Sequence, residues 1–104
     1  MADTTRDQPP SLSELRCRRA AILEIADRHG VRDIRVFGSV ARGDADIGSD
    51  VDFLVELEPG RSLFDLGGLL MDLRDLLGGS VDVVTPAGLR ERVRSRVMRD
   101  AVPL

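Results

Sequence analysis

Between Asp50 and Leu57 the chain reads DVDFLVEL, and these eight residues constrain the fold more than any other segment. Side chains alternate across an extended strand. Val51, Phe53, Val55 and Leu57 therefore form one apolar face, and Asp50 and Asp52 project from the other. A strand with one face built for a core needs neighbours in a sheet and a layer to cover it. Two other runs can supply the sheet. Asp33 to Phe37 is a short strand in which Ile34 and Val36 face one way, and Ser80 to Thr85 (SVDVVT) is a third. Pro59-Gly60 ends the Asp50 to Leu57 strand.

The covering layer is legible as helices. Ser11 or Ser13 can cap a helix running to about His29, with Leu15, Ile22, Ile25 and Ala26 as its apolar stripe and Gly30 as its stop. Ser62 to Leu77 reads as a second, with Ser62 and Asp65 spaced as a capping box and Leu66, Leu69, Leu70, Leu73 and Leu77 facing inward. Its Gly67-Gly68 pair costs about 1 kcal/mol per glycine against alanine, which points to a close packing contact there. Pro86 opens a last helix to about Val102, with Leu89, Val93, Val97 and Ala101 on one side. Gly38-Ser39 begins a brief helical segment, SVAR, followed by the polar loop GDADIGS. The expected order is α-β-α-β-α-β-α, a two-layer α/β (α+β) domain on a small sheet. The sheet should be mixed, because so short a segment separates its first two strands.

A chain of 104 residues should hold one domain and one core. Residues 1–10 are expected to form a flexible leader, and 11–104 the domain. No apolar run approaches the ~18 residues that cross a bilayer, and MADTTRDQPP lacks the apolar segment of a signal peptide. The single cysteine, Cys17, excludes an internal disulfide framework and fits a cytoplasmic location. A net charge of −3 argues against a whole-molecule trap for nucleic acid. All 15 basic residues are arginine, so no lysine can serve as a Schiff-base former or as the gripping residue of a P-loop.

Asp50 and Asp52 alone are compatible with an exposed polar strand face. Three features point beyond that. Asp82 interrupts the apolar run Val81-Asp82-Val83-Val84, where a carboxylate is costly unless paired or coordinating. Gly38-Ser39 opens a helical turn immediately after a strand, where free backbone N–H groups can hold phosphate. The turn also stands at a fixed spacing, ten residues before Asp50-x-Asp52. Three carboxylates held together need a cation, and hard oxygen donors suit Mg²⁺ shared with substrate phosphates. Two such ions ~3.5–4 Å apart clamp an in-line phosphoryl displacement.

The run G38-S39-V-A-R42-G43, then S49-D50-V-D52, then V81-D82-V-V resembles the minimal nucleotidyltransferases of the polymerase-β-like superfamily, from about Asp33 to Thr85. The resemblance implies that Asp50, Asp52 and Asp82 are catalytic carboxylates holding two Mg²⁺ ions, Asp82 also helping to activate the attacking hydroxyl. It implies that Gly38 and Ser39 receive the β- and γ-phosphates of ATP, the nucleotide donor. Arg42 either meets the triphosphate or pairs with a loop carboxylate. Proteins of this kind are commonly antitoxins that transfer AMP to a tyrosine hydroxyl of a HEPN-domain toxin, with which a hetero-oligomer can form. Rival readings are an antitoxin that masks its toxin by contact and a small-molecule nucleotidyltransferase, although the latter normally needs a further domain to shape the acceptor pocket.

Other polar features have simpler readings. Arg90, Arg92, Arg94, Arg96 and Arg99 line the last helix either as a docking surface for an acidic partner, as charge near the nucleotide, or as a solvated face favoured near a helix C-terminus. Asp44 and Asp46 read as loop residues, His29 as a helix-end residue and Cys17 as a small helix residue. Phe37, Phe53 and Phe64, the only aromatics, fall within apolar patterns, which argues against base stacking.

Overall fold

The computed structural model describes residues 8–104. Ten short elements follow in order: α1 (Leu12–Cys17), α2 (Arg19–Arg28), β1 (Val31–Phe37), α3 (Gly38–Arg42), β2 (Val51–Leu57), α4 (Leu63–Leu77), β3 (Val81–Val84), a 3₁₀ turn (Pro86–Gly88), α5 (Glu91–Asp100) and β4 (Val102–Pro103). The sheet runs β3-β2-β1-β4. It is mixed, as the short β1–β2 connection implied. β1 pairs antiparallel with β2 and with β4, and β2 pairs parallel with β3 through the α4 crossover.

One face of the sheet holds the core. Val36 and Phe53 are fully buried, Val51 and Val55 nearly so, and they pack with Leu15 and Ile22 from α1 and α2 and with Leu69 and Leu73 from α4. Leu57, expected on that face, is half-buried at the strand end. The two helix starts predicted at serines are both capping boxes, the one at Ser11 using Glu14, a partner not predicted from the sequence. Glu14 N–H donates to Ser11 Oγ (3.1 Å) and Ser11 N–H to Glu14 Oε1 (3.0 Å). At α4, Ser62 N–H donates to Asp65 Oδ2 (2.9 Å). Each box satisfies two backbone donors that a helix start leaves without intrahelical partners.

Three expectations are corrected. The first helix is broken at Arg18, whose backbone leaves the helical region (φ −103°, ψ 15°) and whose guanidinium donates to the Leu76 carbonyl at the end of α4. The last helix does not run from Pro86 to Val102. Pro86 starts only a 3₁₀ turn, Leu89 and Arg90 are extended, α5 ends at Asp100, and Val102–Pro103 turns back as a strand. Pro103 lacks an N–H, which an edge position tolerates, and its carbonyl accepts from Arg16 Nη2 (2.8 Å). Of the predicted stripe, Val97 alone is buried, while Val93 is exposed. Finally, Phe64 is 92% exposed at the start of α4, outside any core.

Of the part of the expected leader that is described, Pro10 is buried, and Gln8, Pro9 and Pro10 wall a cleft against α3; residues 1–7 lie outside the described residues. No helix among the described residues is long and apolar enough to cross a membrane.

The close contact expected at Gly67-Gly68 exists at one glycine only. A Cβ on Gly68 would stand 2.7 Å from Cε1 of His29, whereas one on Gly67 meets nothing within 4 Å. His29 caps α2, and its Nε2 meets Asp72 Oδ2 at 2.6 Å, which ties α2 to α4. Adjacent substitutions should therefore act with opposite sign. Gly67→Ala should gain ~1 kcal/mol of helix propensity and raise the melting temperature by about 4–8 °C. Gly68→Ala should lower it by a similar amount, because the imidazole must leave its place. Thermal melts of the two variants decide.

Candidate active site

The side of the sheet opposite the core carries the polar residues, and strand register brings them together. Asp52 on β2 lies directly beside Asp82 on parallel β3, and Phe37 at the end of β1 lies opposite Asp52. In-register neighbours share a face, so the two carboxylates stand on the same side at the same level. Asp50 precedes β2 by one residue and is exposed. Below them, Leu54 is buried on this same face, so β2 is apolar on both sides at its centre, with Asp52 where it enters the sheet and the exposed Glu56 near its other end.

Asp82 differs from expectation in one respect. β3 is an edge strand, and the Asp82 side chain is exposed. Its position within Val-Asp-Val-Val therefore carries no burial penalty. The strained member of the group is Asp52. Partial burial, then the neighbouring Asp82 and Asp50 charges, push its carboxyl from the ordinary 3.8 up to about 6, with Arg42 opposing the shift. The negative potential thus concentrates at Asp52. Among the described residues no three His, Cys, Asp or Glu side chains are gathered tightly enough to hold an ion as they stand. Mutual repulsion among ionised carboxylates favours such a spread arrangement.

The turn after β1 comes into direct contact with this group. Gly38 has φ +75°, and a Cβ placed on it would stand 2.5 Å from Asp52 Oδ2. Glycine is needed here for its left-handed backbone and also because Asp52 occupies the space a side chain would take. The first reason is local to the turn; the second depends on how β1 and β2 pair. Ser39 follows in the first turn of α3, half-buried, and its hydroxyl has no protein partner among the described residues. Gly43 closes this short helix in the left-handed conformation.

Arg42 is an ion-pair partner. Its Nε donates to Asp44 Oδ2 (3.3 Å) and its Nη1 to Asp100 Oδ2 (2.8 Å). Asp44 is the loop carboxylate anticipated as one alternative. Asp100, at the end of α5, had no signal at a separation of 58 residues, and it joins the C-terminal helix to the Gly-Ser turn. Asp46 accepts from Ser49 Oγ (3.1 Å) and so belongs to its loop.

The mixed sheet thus sets carboxylates from adjacent strands beside a Gly-Ser helical turn. The chain belongs to the nucleotidyltransferase domain family, which matches residues 19–104. It is 43% identical over 79 residues to protein adenylyltransferase MntA of Thermococcus cleftensis, covering 76% of this chain and 80% of that one. It is 40% identical over 81 residues to a Methanocaldococcus jannaschii protein assigned by name as a protein adenylyltransferase, covering 78% and 87%. A solved structure assigned as a minimal nucleotidyltransferase superposes with a TM-score of 0.81 at 49% identity, over 91% of this chain and 97% of that one. A toxin–antitoxin structure with AMP-PNP shares the fold, with a TM-score of 0.69 at 20% identity, over 81% and 69%.

Proposed function

We propose that this chain is a Mg²⁺-dependent protein adenylyltransferase that moves AMP from ATP to a tyrosine hydroxyl of a HEPN-type toxin, and so acts as a cytoplasmic antitoxin. The observation that carries the reading is the in-register pair Asp52–Asp82 set against the Gly38 turn. The relatives named as protein adenylyltransferases support a protein acceptor. The fold shared with a toxin–antitoxin structure holding AMP-PNP supports the donor and the kind of partner, and a hetero-oligomer with that partner.

The donor set fits a hard divalent cation, because Asp52 is held partly buried beside two like charges with only Arg42 in opposition. Asp50, Asp52 and Asp82 would hold two Mg²⁺ ions. When bound, Mg²⁺ offsets the charge of the triphosphate and makes the attacking hydroxyl more acidic. Backbone N–H groups of the Gly38-Ser39 turn and the Ser39 hydroxyl orient the β- and γ-phosphates. The acceptor oxygen bonds to the α-phosphorus as the bond to the bridging oxygen breaks, and pyrophosphate departs. The Asp82 carboxylate, exposed on the open edge of the sheet, would take the hydroxyl proton. Arg42 anchors the turn through Asp44 and Asp100.

The test is the intact mass of a HEPN-type toxin after incubation with this chain, ATP and Mg²⁺. A gain of one or more AMP masses is expected with wild type and not with Asp50→Asn, whose exposed side chain the fold does not need. An unchanged mass despite a tight complex would replace transfer with masking by contact.

A further inference from the structure

The last helix carries charge that the fold does not use. Arg90 through Asp100 hold five arginines against Glu91 and Asp100, a net +3 in a chain of net −3. Arg90, Arg92, Arg94, Arg96 and Arg99 are all exposed, and none makes an ion pair or side-chain hydrogen bond among the described residues. By contrast, Arg28, Arg32, Arg35, Arg42 and Arg61 elsewhere on the surface are each paired with a carboxylate.

A solvated helix face favoured by the macrodipole does not account for the pattern. Arg90 is the N-cap and supplies no side-chain cap, and Arg92 and Arg94 lie in the first turns, the positive end of the helix dipole. Arg92, Arg96 and Arg99 fall at i, i+4 and i+7, one row on the side away from buried Val97. Like charges at that spacing cost a helix about 0.2–0.5 kcal/mol per pair. The row is thus mildly unfavourable for the isolated helix and is compensated by nothing among the described residues. Apolar groups flank it. Met98 is 48% exposed and Val93 44% exposed. The helix also ends at the site, since Asp100 pairs with Arg42 of the Gly-Ser turn.

We infer that the Arg92–Arg96–Arg99 row is the docking surface for an acidic segment of the protein acceptor, placing its hydroxyl beside the carboxylate group. The inference rests on the protein-transferase reading above. Arginine mixed with exposed methionine and valine suits a protein surface. A nucleic-acid strand is disfavoured by the net negative chain and by the lack of any aromatic on this helix.

The test uses full-length protein with ATP and Mg²⁺ and two probes, a random glutamate–tyrosine copolymer and a lysine–tyrosine copolymer. Binding is read by fluorescence anisotropy and transfer by incorporated labelled AMP. Wild type should bind and label the acidic copolymer in preference to the basic one, with affinity falling steeply as salt rises. R92Q/R96Q/R99Q should weaken binding and raise KM about tenfold or more with kcat kept. R19Q/R28Q/R32Q, the same charge change on another surface, should alter both much less. Equal losses in the two triple variants, or none in either, overturn the inference. So do tighter row-dependent binding of a single-stranded oligonucleotide and a self-association that R92Q/R96Q/R99Q abolishes. Labelling that ignores the row leaves the transferase standing and removes the docking surface. Row-dependent binding with no AMP incorporated does the reverse.

Discussion

If Asp52 holds metal as proposed, replacing it by asparagine is expected to lower nucleotidyl transfer about 10³-fold, since such a carboxylate would account for several kcal/mol of transition-state stabilisation. The same change should make the metal-free protein more stable at neutral pH. The Asp52 carboxyl titrates near 6 in the folded chain against an ordinary 3.8. Between those values the native state binds the proton more tightly than the unfolded chain does. The stability this group contributes is therefore complete below about pH 4 and is lost as pH rises through about 6. The asparagine side chain of the variant does not titrate, so the difference in stability between variant and wild type should grow across that window and level off above it. After allowance for solvent around a half-exposed group, the gain is about 1–2 kcal/mol, several degrees in melting temperature. Mg²⁺ should then raise the melting temperature of wild type more than that of the variant. Melts of both proteins at pH 4 to 8, with and without Mg²⁺, read all of this. A difference that shrinks as pH rises would mean that Asp52 is not the strained carboxylate.

Gly38→Ala is expected to produce the second large effect. Alanine at φ +75° costs about 1–2 kcal/mol in backbone strain alone. Its methyl group must also displace the Asp52 carboxylate from a position 2.5 Å away. A shift of ~1 Å in a reacting group costs about 10²-fold in rate, so transfer should fall by about that factor while the fold survives. Strain and displacement can be separated. In an Asp52→Ala background only the backbone cost remains, so Gly38→Ala should destabilise that protein less than it destabilises wild type. Strictly additive losses would show that the glycine is needed for its torsion only.

The two reasons for glycine at position 38 show where reading a sequence reaches its limit. The apolar face Val51-Phe53-Val55, the Ser62–Asp65 capping box and a serine cap at Ser11 or Ser13 were legible because their information is local: alternation along a strand, and a three-residue reach within one helical turn. The mixed sheet followed from the length of one connection. The break at Arg18 was not legible, because it is held by a carbonyl on α4. β4 was not legible either, because two extended residues ending in Pro103 look like the frayed end of a helix. Asp82 had the right neighbours in sequence, but its exposure depends on β3 being an edge, which is a property of sheet order. The carboxylates were found through the Gly-Ser to Asp-x-Asp spacing. Their relative strain, concentrated on Asp52, was visible only once strand register set Asp82 beside it. Asp100 carried no signal at all.

The position of β3 has a further consequence. A sheet edge with unsatisfied backbone groups is a template on which another chain can pair, and Val-Asp-Val-Val without its charge would be a short β-prone apolar segment. The opposite edge is closed by a two-residue strand ending in proline. On the open side the one charge within the strand is Asp82. The carboxylate proposed for chemistry is thus also the one charge that opposes edge-to-edge pairing on this strand, so replacing it would remove both at once.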